Sequence, residues 1–256
     1  MDFVPENELE KVLMAAATSP EARPRFYELL AESDLLIIDE NPQTAEPAGR
    51  HVLEKGRALQ LRQLDIDGVR HTPVFSSPAR ISAVVDRPVR TLGMNARALF
   101  EMVGKDHVIL NPGSPYGKQF TPQEMASIVD GSIFAPLPSE VVSEAREVMM
   151  GQPANYPTHV TNALAAFFKT KKPVRAAYLA HVFDPKAGPE PHTMIGIDVD
   201  EGVDYPRLIA EAAIVLDGAA KKGELIDFIR ITAGGVSDYM TKETKPFYRR
   251  KVLGLF

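Results

Sequence analysis

The stretch "LNPGSPYGKQFTPQEMASIVDG", residues 110–131, decides how the first half of this chain is read. A strand-like run, Val108-Ile109-Leu110, enters a loop with two glycines, two prolines and a lysine, and a helix begins near Thr121. Glycines and a lysine between strand and helix outline a phosphate-binding loop, but the spacing argues against one. An NTPase loop reads G-x-x-x-x-G-K-[ST]. Here only three residues separate Gly113 from Gly117, and Lys118 is followed by Gln119, which has no hydroxyl for magnesium. Pro112 and Pro115 lack the backbone N–H groups through which such loops act. Thr121-x-x-Glu124 reads instead as a capping box with Pro122 at the first helical position, worth about 1 kcal/mol. Glu124 also places a negative charge where an anion would sit. The stretch therefore predicts a strand-to-helix corner, with Phe120 stapled onto the helix near Met125.

Upstream, Leu9, Val12, Leu13 and Ala16 follow helical spacing over Glu8–Ala17, and Ser19-Pro20 opens a second helix with Phe26, Leu29 and Leu30 inward. Asp34–Asp39 reads as a strand. Residues 41–57 have no period and read as a loop. Ala58–Ile66 and His71–Phe75 read as a hairpin turning at Asp67-Gly68. A short helix over Ser77–Asp86 turns Ile81, Val84 and Val85 inward, and Val89–Leu92 is strand-like. Asn95 caps a helix over Ala96–Val103 that Gly104 ends, and His107–Leu110 is the next strand.

Gly131, Pro136 and Pro138 mark a boundary, giving domains 1–135 and 136–256. In the second, helices are expected over Ser139–Met149 and Pro157–Thr170, and strands over Val174–Phe183 and His192–Val199. A helix capped by Asp204, a strand over Leu225–Ile231 and a mostly helical tail over Val236–Arg250 follow. This order predicts an α+β protein of two domains, each a small mixed or antiparallel sheet packed with helices.

The chain has 256 residues, 45% hydrophobic and 25% charged, with a net charge of −5 and no cysteine. Lacking cysteine, it has no disulfide, thiolate nucleophile, zinc-thiolate site or iron–sulfur cluster. The negative balance argues against broad nucleic-acid binding. The acidic Met1–Glu8 segment lacks the order of a signal peptide, and no apolar run has the length of a membrane span, so a cytoplasmic protein is expected.

Other groupings are weaker. Asp198, Asp200, Glu201 and Asp204 could hold a cation but lack EF-hand spacing, and read as a solvated strand end leading into a cap. His181 and His192 lie on strands that could pair, and with Asp198 they form the best case for a metal-assisted hydrolase. Lys242, Lys245, Arg249, Arg250 and Lys251, interleaved with Tyr239, Phe247 and Tyr248, read as a helix face rather than an RNA contact. Ser114 sits in G-S-P, not in a nucleophile elbow.

Leu110-Asn111-Pro112-Gly113-Ser114, with Gly117-Lys118, Phe120, Pro122 and Glu124, resembles the signature of the SseB family, the enhanced serine sensitivity proteins. So do Phe3-Val4-Pro5-Glu6-Asn7, Phe26-Tyr27-x-Leu29-Leu30, Gly151-Gln152-Pro153-Ala154-x-Tyr156-Pro157, Ala176-Ala177-Tyr178-Leu179 and Lys245-Pro246-Phe247-Tyr248. The resemblance spans nearly the whole chain and implies an N-terminal and a C-terminal domain of that type. It also implies a link to serine sensitivity, with no catalytic residues to carry over. The expectation is a non-enzymatic binding or regulatory protein without a cofactor. Asn111, Gly113, Ser114, Tyr116, Gly117 and Lys118 would contact a partner protein or small ligand, and homo-oligomer formation is left open.

Overall fold

Alternation of apolar residues builds two separate sheets, each with its own helices. The structure is a computed structural model that describes residues 3–40, 59–135, 148–185 and 190–251. It divides into one unit of Met1–Thr18 with Arg25–Ile133 and a second of Ser19–Pro24 with Phe134–Phe256. The fold is α+β, with a mixed sheet in each unit.

In the first unit, helices α1 (Glu8–Thr18) and α2 (Arg23–Glu32) precede strand β1 (Asp34–Ile38). Strands β2 (Leu64–Ile66) and β3 (Val69–Phe75) form the expected hairpin, with Ile66 opposite Val69. Asp67 and Gly68 take φ of 53° and 78°, the left-handed pair that a two-residue hairpin turn requires. Helix α3 (Pro78–Ser82), strand β4 (Thr91–Asn95) and helix α4 (Ala96–Val103) lead to β5 (His107–Leu110), β6 (Lys118–Phe120) and α5 (Pro122–Val129). The strand order is β4-β1-β3-β5-β6, with β2 also on β3. Only β3 and β5 run parallel among the described pairs of this unit, so their carboxyl ends lie side by side.

Several local expectations change. Strand β6 was hidden, because Lys118-Gln119-Phe120 becomes a strand only by pairing with Val108–Leu110. Val84 is exposed rather than inward, since α3 ends two residues before it. The strand near Val89 begins at Thr91, where it pairs with β1. Of Ala58–Ile66, only Leu64–Ile66 and a bridge at Leu61 are extended. The loop expected over 41–57 lies outside the described residues.

In the second unit, β7 (Met149–Gly151) is followed by α6 (Thr158–Thr170), β8 (Val174–Phe183), β9 (His192–Val199) and α7 (Tyr205–Leu216). Strand β10 (Ile226–Arg230), helix α8 (Gly235–Glu243) and strand β11 (Tyr248–Arg249) complete it. The order is β10-β9-β8-β11, with β7 paired to the far end of β8. Residues 139–147 of the helix expected over Ser139–Met149 are outside the described residues, and Met149 lies in β7. The tail does not stay helical: Tyr248 and Arg249 pair with Ala177 and Ala176 at the sheet edge.

Period-two alternation gives this sheet two different faces. Ile195, Ile197 and Val199 share one with Ala177 and Leu179, buried under Val160, Leu164, Phe167 and Phe168 of α6 and Leu208, Ala212 and Val215 of α7. Burying each such large side chain contributes about 1.5–3 kcal/mol. The other face carries Ala176, Tyr178 and Ala180, covered by Met240 of α8. Gly196 faces this second side, and a Cβ there would run into Met240 and, at 2.7 Å, Ile231 Cδ1. Gly196→Ala should therefore destabilise the protein by about 1 kcal/mol or more. Combined with Met240→Ala in thermal unfolding, it should cost less than the sum of the two changes; strict additivity would contradict this packing.

Candidate functional site

The loop between β5 and β6 starts at the carboxyl end of the parallel pair, where α/β sheets commonly place ligands. Its first residue, Asn111, is 1% exposed and left-handed, with φ of 51°. Asparagine tolerates that conformation better than most side chains. Its N–H donates to Val74 O at 2.8 Å, and its Oδ1 accepts from Ser76 N at 2.9 Å, so Asn111 joins the ends of the two strands. Its Nδ2 donates to Ser76 Oγ at 2.8 Å. Gly113 is left-handed too, with φ of 72°. At Gly117 a Cβ would fall 2.8 Å from Leu110 O, so the loop closes only around glycine.

Beneath the loop lies a buried polar cluster. Glu10 is fully buried, although it occupies a helix position that the apolar pattern did not mark. Its Oε1 accepts from Ser76 Oγ at 2.6 Å and Arg80 Nε at 3.0 Å. Its Oε2 accepts from Glu6 N at 2.8 Å and Arg80 Nη2 at 3.0 Å. Asn7 accepts from Glu10 N and donates to Ser76 O at 2.7 Å. Arg80 also donates to Val4 O and lies 3.9 Å over the Phe3 ring, which packs edge-on against Tyr116 at 5.0 Å. Phe3–Asn7 and the Asn111–Lys118 loop, far apart in sequence, thus meet in one network. Burial pushes the Glu10 carboxyl upward, but Arg80, Ser76 and the Glu6 N–H together hold it down at about 2.

The candidate binding residues fall into two groups. Asn111 is structural. Lys118 is held in β6, with Nζ 2.9 Å from Glu124 Oε1 and 5.0 Å from the Phe120 ring centroid. Glu124 also accepts from Tyr27 Oη at 2.6 Å. The capping box is therefore half formed: Thr121 Oγ1 accepts from Glu124 N at 3.2 Å, while the Glu124 carboxylate serves Lys118 and Tyr27. Phe120 and Met125 are both buried. The outer surface is left to exposed Gly113, Pro115 and Gly117 and half-buried Ser114 and Tyr116. Ser114 Oγ accepts from Tyr116 N at 3.3 Å.

The hydrolase grouping does not come together. His181 pairs with Thr193 and His192 with Val182, so the two rings leave opposite faces of the sheet. Asp198 is six residues along β9 from His192, roughly 20 Å, and binds Arg175 at 2.5 Å. His192 Nε2 lies 2.7 Å from Asp227 instead. Among the described residues no cluster of three or more His, Asp or Glu could hold a metal. The acidic turn is matched by the basic tail: Arg250 Nη1 is 2.8 Å from Asp200 Oδ2, and Asp204 Oδ1 caps α7 at Arg207 N. Sequence reading missed Glu10, Ser76 and Arg80, because Glu10 lies beside the apolar stripe of α1 rather than on it and its partners are 66 and 70 residues away.

Comparison with known proteins places these features. Residues 9–127 match the SseB protein N-terminal domain, and 142–250 match the SseB protein C-terminal domain. Protein SseB of Escherichia coli (strain K12) is 32% identical over 250 residues, covering 96% of this chain and 93% of the relative. Protein SseB of Shigella flexneri matches to the same extent. No solved structure matches.

Two measurements check the cluster. Asn111→Ala leaves the buried Ser76 N–H without its acceptor and should cost about 2 kcal/mol in denaturant unfolding; a change within 0.5 kcal/mol, about the level of an ordinary surface substitution, would contradict this role. Folding lowers the Glu10 pKa from 4.5 to about 2. Its contribution is thus complete above pH 4.5 and lost as pH falls toward 2, about 3 kcal/mol in all. Glu10→Gln should flatten that part of the stability–pH curve.

Proposed function

The chain belongs to the SseB family, and from that premise we propose that it is a non-catalytic binding protein. It recognises a partner protein or small ligand through the outer surface of the 113–118 loop. Its cellular role is tolerance of serine and related amino acids, exercised in the cytoplasm. Among the described residues, no helix is long and apolar enough to cross a membrane.

One observation carries this reading: the loop is rigid from below and open above. Its underside is bound to Ser76 and Val74 and is backed by the Glu10–Arg80 pair. Above it, Gly113, Pro115 and Gly117 are exposed. A loop already held in one conformation loses little entropy on binding. Tyr116, supported by Phe3 and still partly accessible, has the chemistry of an interface anchor. Lys118 and Glu124 supply a partly exposed charge pair beside it that sets orientation more than affinity. Catalysis finds less support, because among the described residues Ser114 bonds only to backbone, and Glu10, at a pKa of about 2, is a weak base.

Photo-cross-linking from position 115 in growing cells should capture a defined partner. Tyr116→Ala should weaken that capture by about 2 kcal/mol, roughly thirtyfold, and alter growth on excess serine. Lys118→Ala should have a smaller effect. Unchanged partners together with unchanged serine tolerance in both variants would overturn the proposal.

A further inference from the structure

The second unit holds a cleft of about 520 Å³ where β7 meets the end of β8. Clefts of this size suit small organic ligands. His181 and Phe183 are two residues apart on β8, so both half-buried rings face the same side. Gly151 is the register partner of His181 and shares that side. A Cβ at Gly151 would meet no atom within 4 Å, so the space beside the imidazole is open. Met149, 62% exposed, forms one rim. Gln152 and Asn155 form the other; both are exposed, and neither has a hydrogen-bond partner among the described residues. They belong to the Gly151–Pro157 stretch, which neither the core nor the loop of the first unit accounts for.

The chemistry of the lining selects the ligand. Among the described residues, no carboxylate, ammonium or guanidinium borders the cleft. Burial, and then the charge of His192, outweigh the opposing pull of the Glu224 carboxylate and hold His181 below the ordinary imidazole range, so its neutral form prevails at pH 7. A charged ligand would lose water here without meeting a counter-charge from the described lining. Among the described residues the lining has no lysine or arginine, which also disfavours a polynucleotide. The imidazole and phenyl rings suit stacking against a flat π-system, and the thioether suits its edge. Each amide presents a donor beside an acceptor, the pattern that pairs with an adenine edge. We propose that this cleft binds an uncharged nitrogen heterocycle of nucleobase type, as the free base or the nucleoside.

Saturation-transfer NMR on the full chain, with adenine, adenosine and adenosine monophosphate as probes, tests this. Transfer to the base protons of adenine or adenosine is expected, with the ribose contributing only if the nucleoside is the true form. The monophosphate should bind no more tightly than adenosine. Gly151→Leu fills the space and should abolish the signal. Should that variant fail to fold, Gln152→Ala with Asn155→Ala, both at exposed positions, should weaken binding about tenfold. No transfer from any probe, transfer that survives these substitutions, or much tighter binding of the monophosphate would overturn the proposal.

Discussion

A fully buried carboxylate organises the first unit. Glu10 gathers the N-terminal segment through Glu6 N, the end of β3 through Ser76, and α3 through Arg80. Ser76 passes the connection to Asn111 and so to the loop. A buried ion pair of this kind is not itself a large source of stability, because both charges have left water. Its effect is directional: removing one partner leaves a charge with nowhere to go, so the segments are held in one arrangement. The arginine side chain, 12% exposed, is sandwiched between this carboxylate and the Phe3 ring.

The second unit is built by the opposite means. Its sheet is apolar on both faces, with α6 and α7 on one and α8 on the other. Its charges are kept to the margins, where Arg175, Asp198, Asp200 and Arg250 neutralise one another. Of the candidate ligands, Asp198, Asp200 and Asp204 each already have an arginine or a helix N-terminus to satisfy them. This weakens the physical case for a cation there. It also accounts for the basic tail, whose Arg250 is paired with acid rather than presented to an anion.

These two designs expose different surfaces. The first fixes a loop from below and leaves Gly113, Pro115 and Gly117 exposed. The second leaves a cleft beside Gly151 at the edge of an apolar sheet.

Much of the fold was legible in the sequence, because strands and caps are local. Strands β8 and β9, the Asp67-Gly68 turn, and the caps at Asn95, Thr121 and Asp204 each follow from a few neighbouring residues and the backbone geometry they favour. The loop after β5 was identified, and its spacing read as a corner rather than a phosphate cradle. What the sequence could not show is what depends on partners distant along the chain. Lys118–Phe120 is a strand only because β5 lies beside it, and Met149 is in a strand because β8 does. The role of Glu10 needs Ser76 and Arg80, 66 and 70 residues away. The separation of His181 from His192 turns on register, since a shift of one residue exchanges the faces of a sheet. Local stereochemistry thus determined the elements, while tertiary pairing decided which side chains meet, because burial lets a charge or a face persist only where a partner completes it.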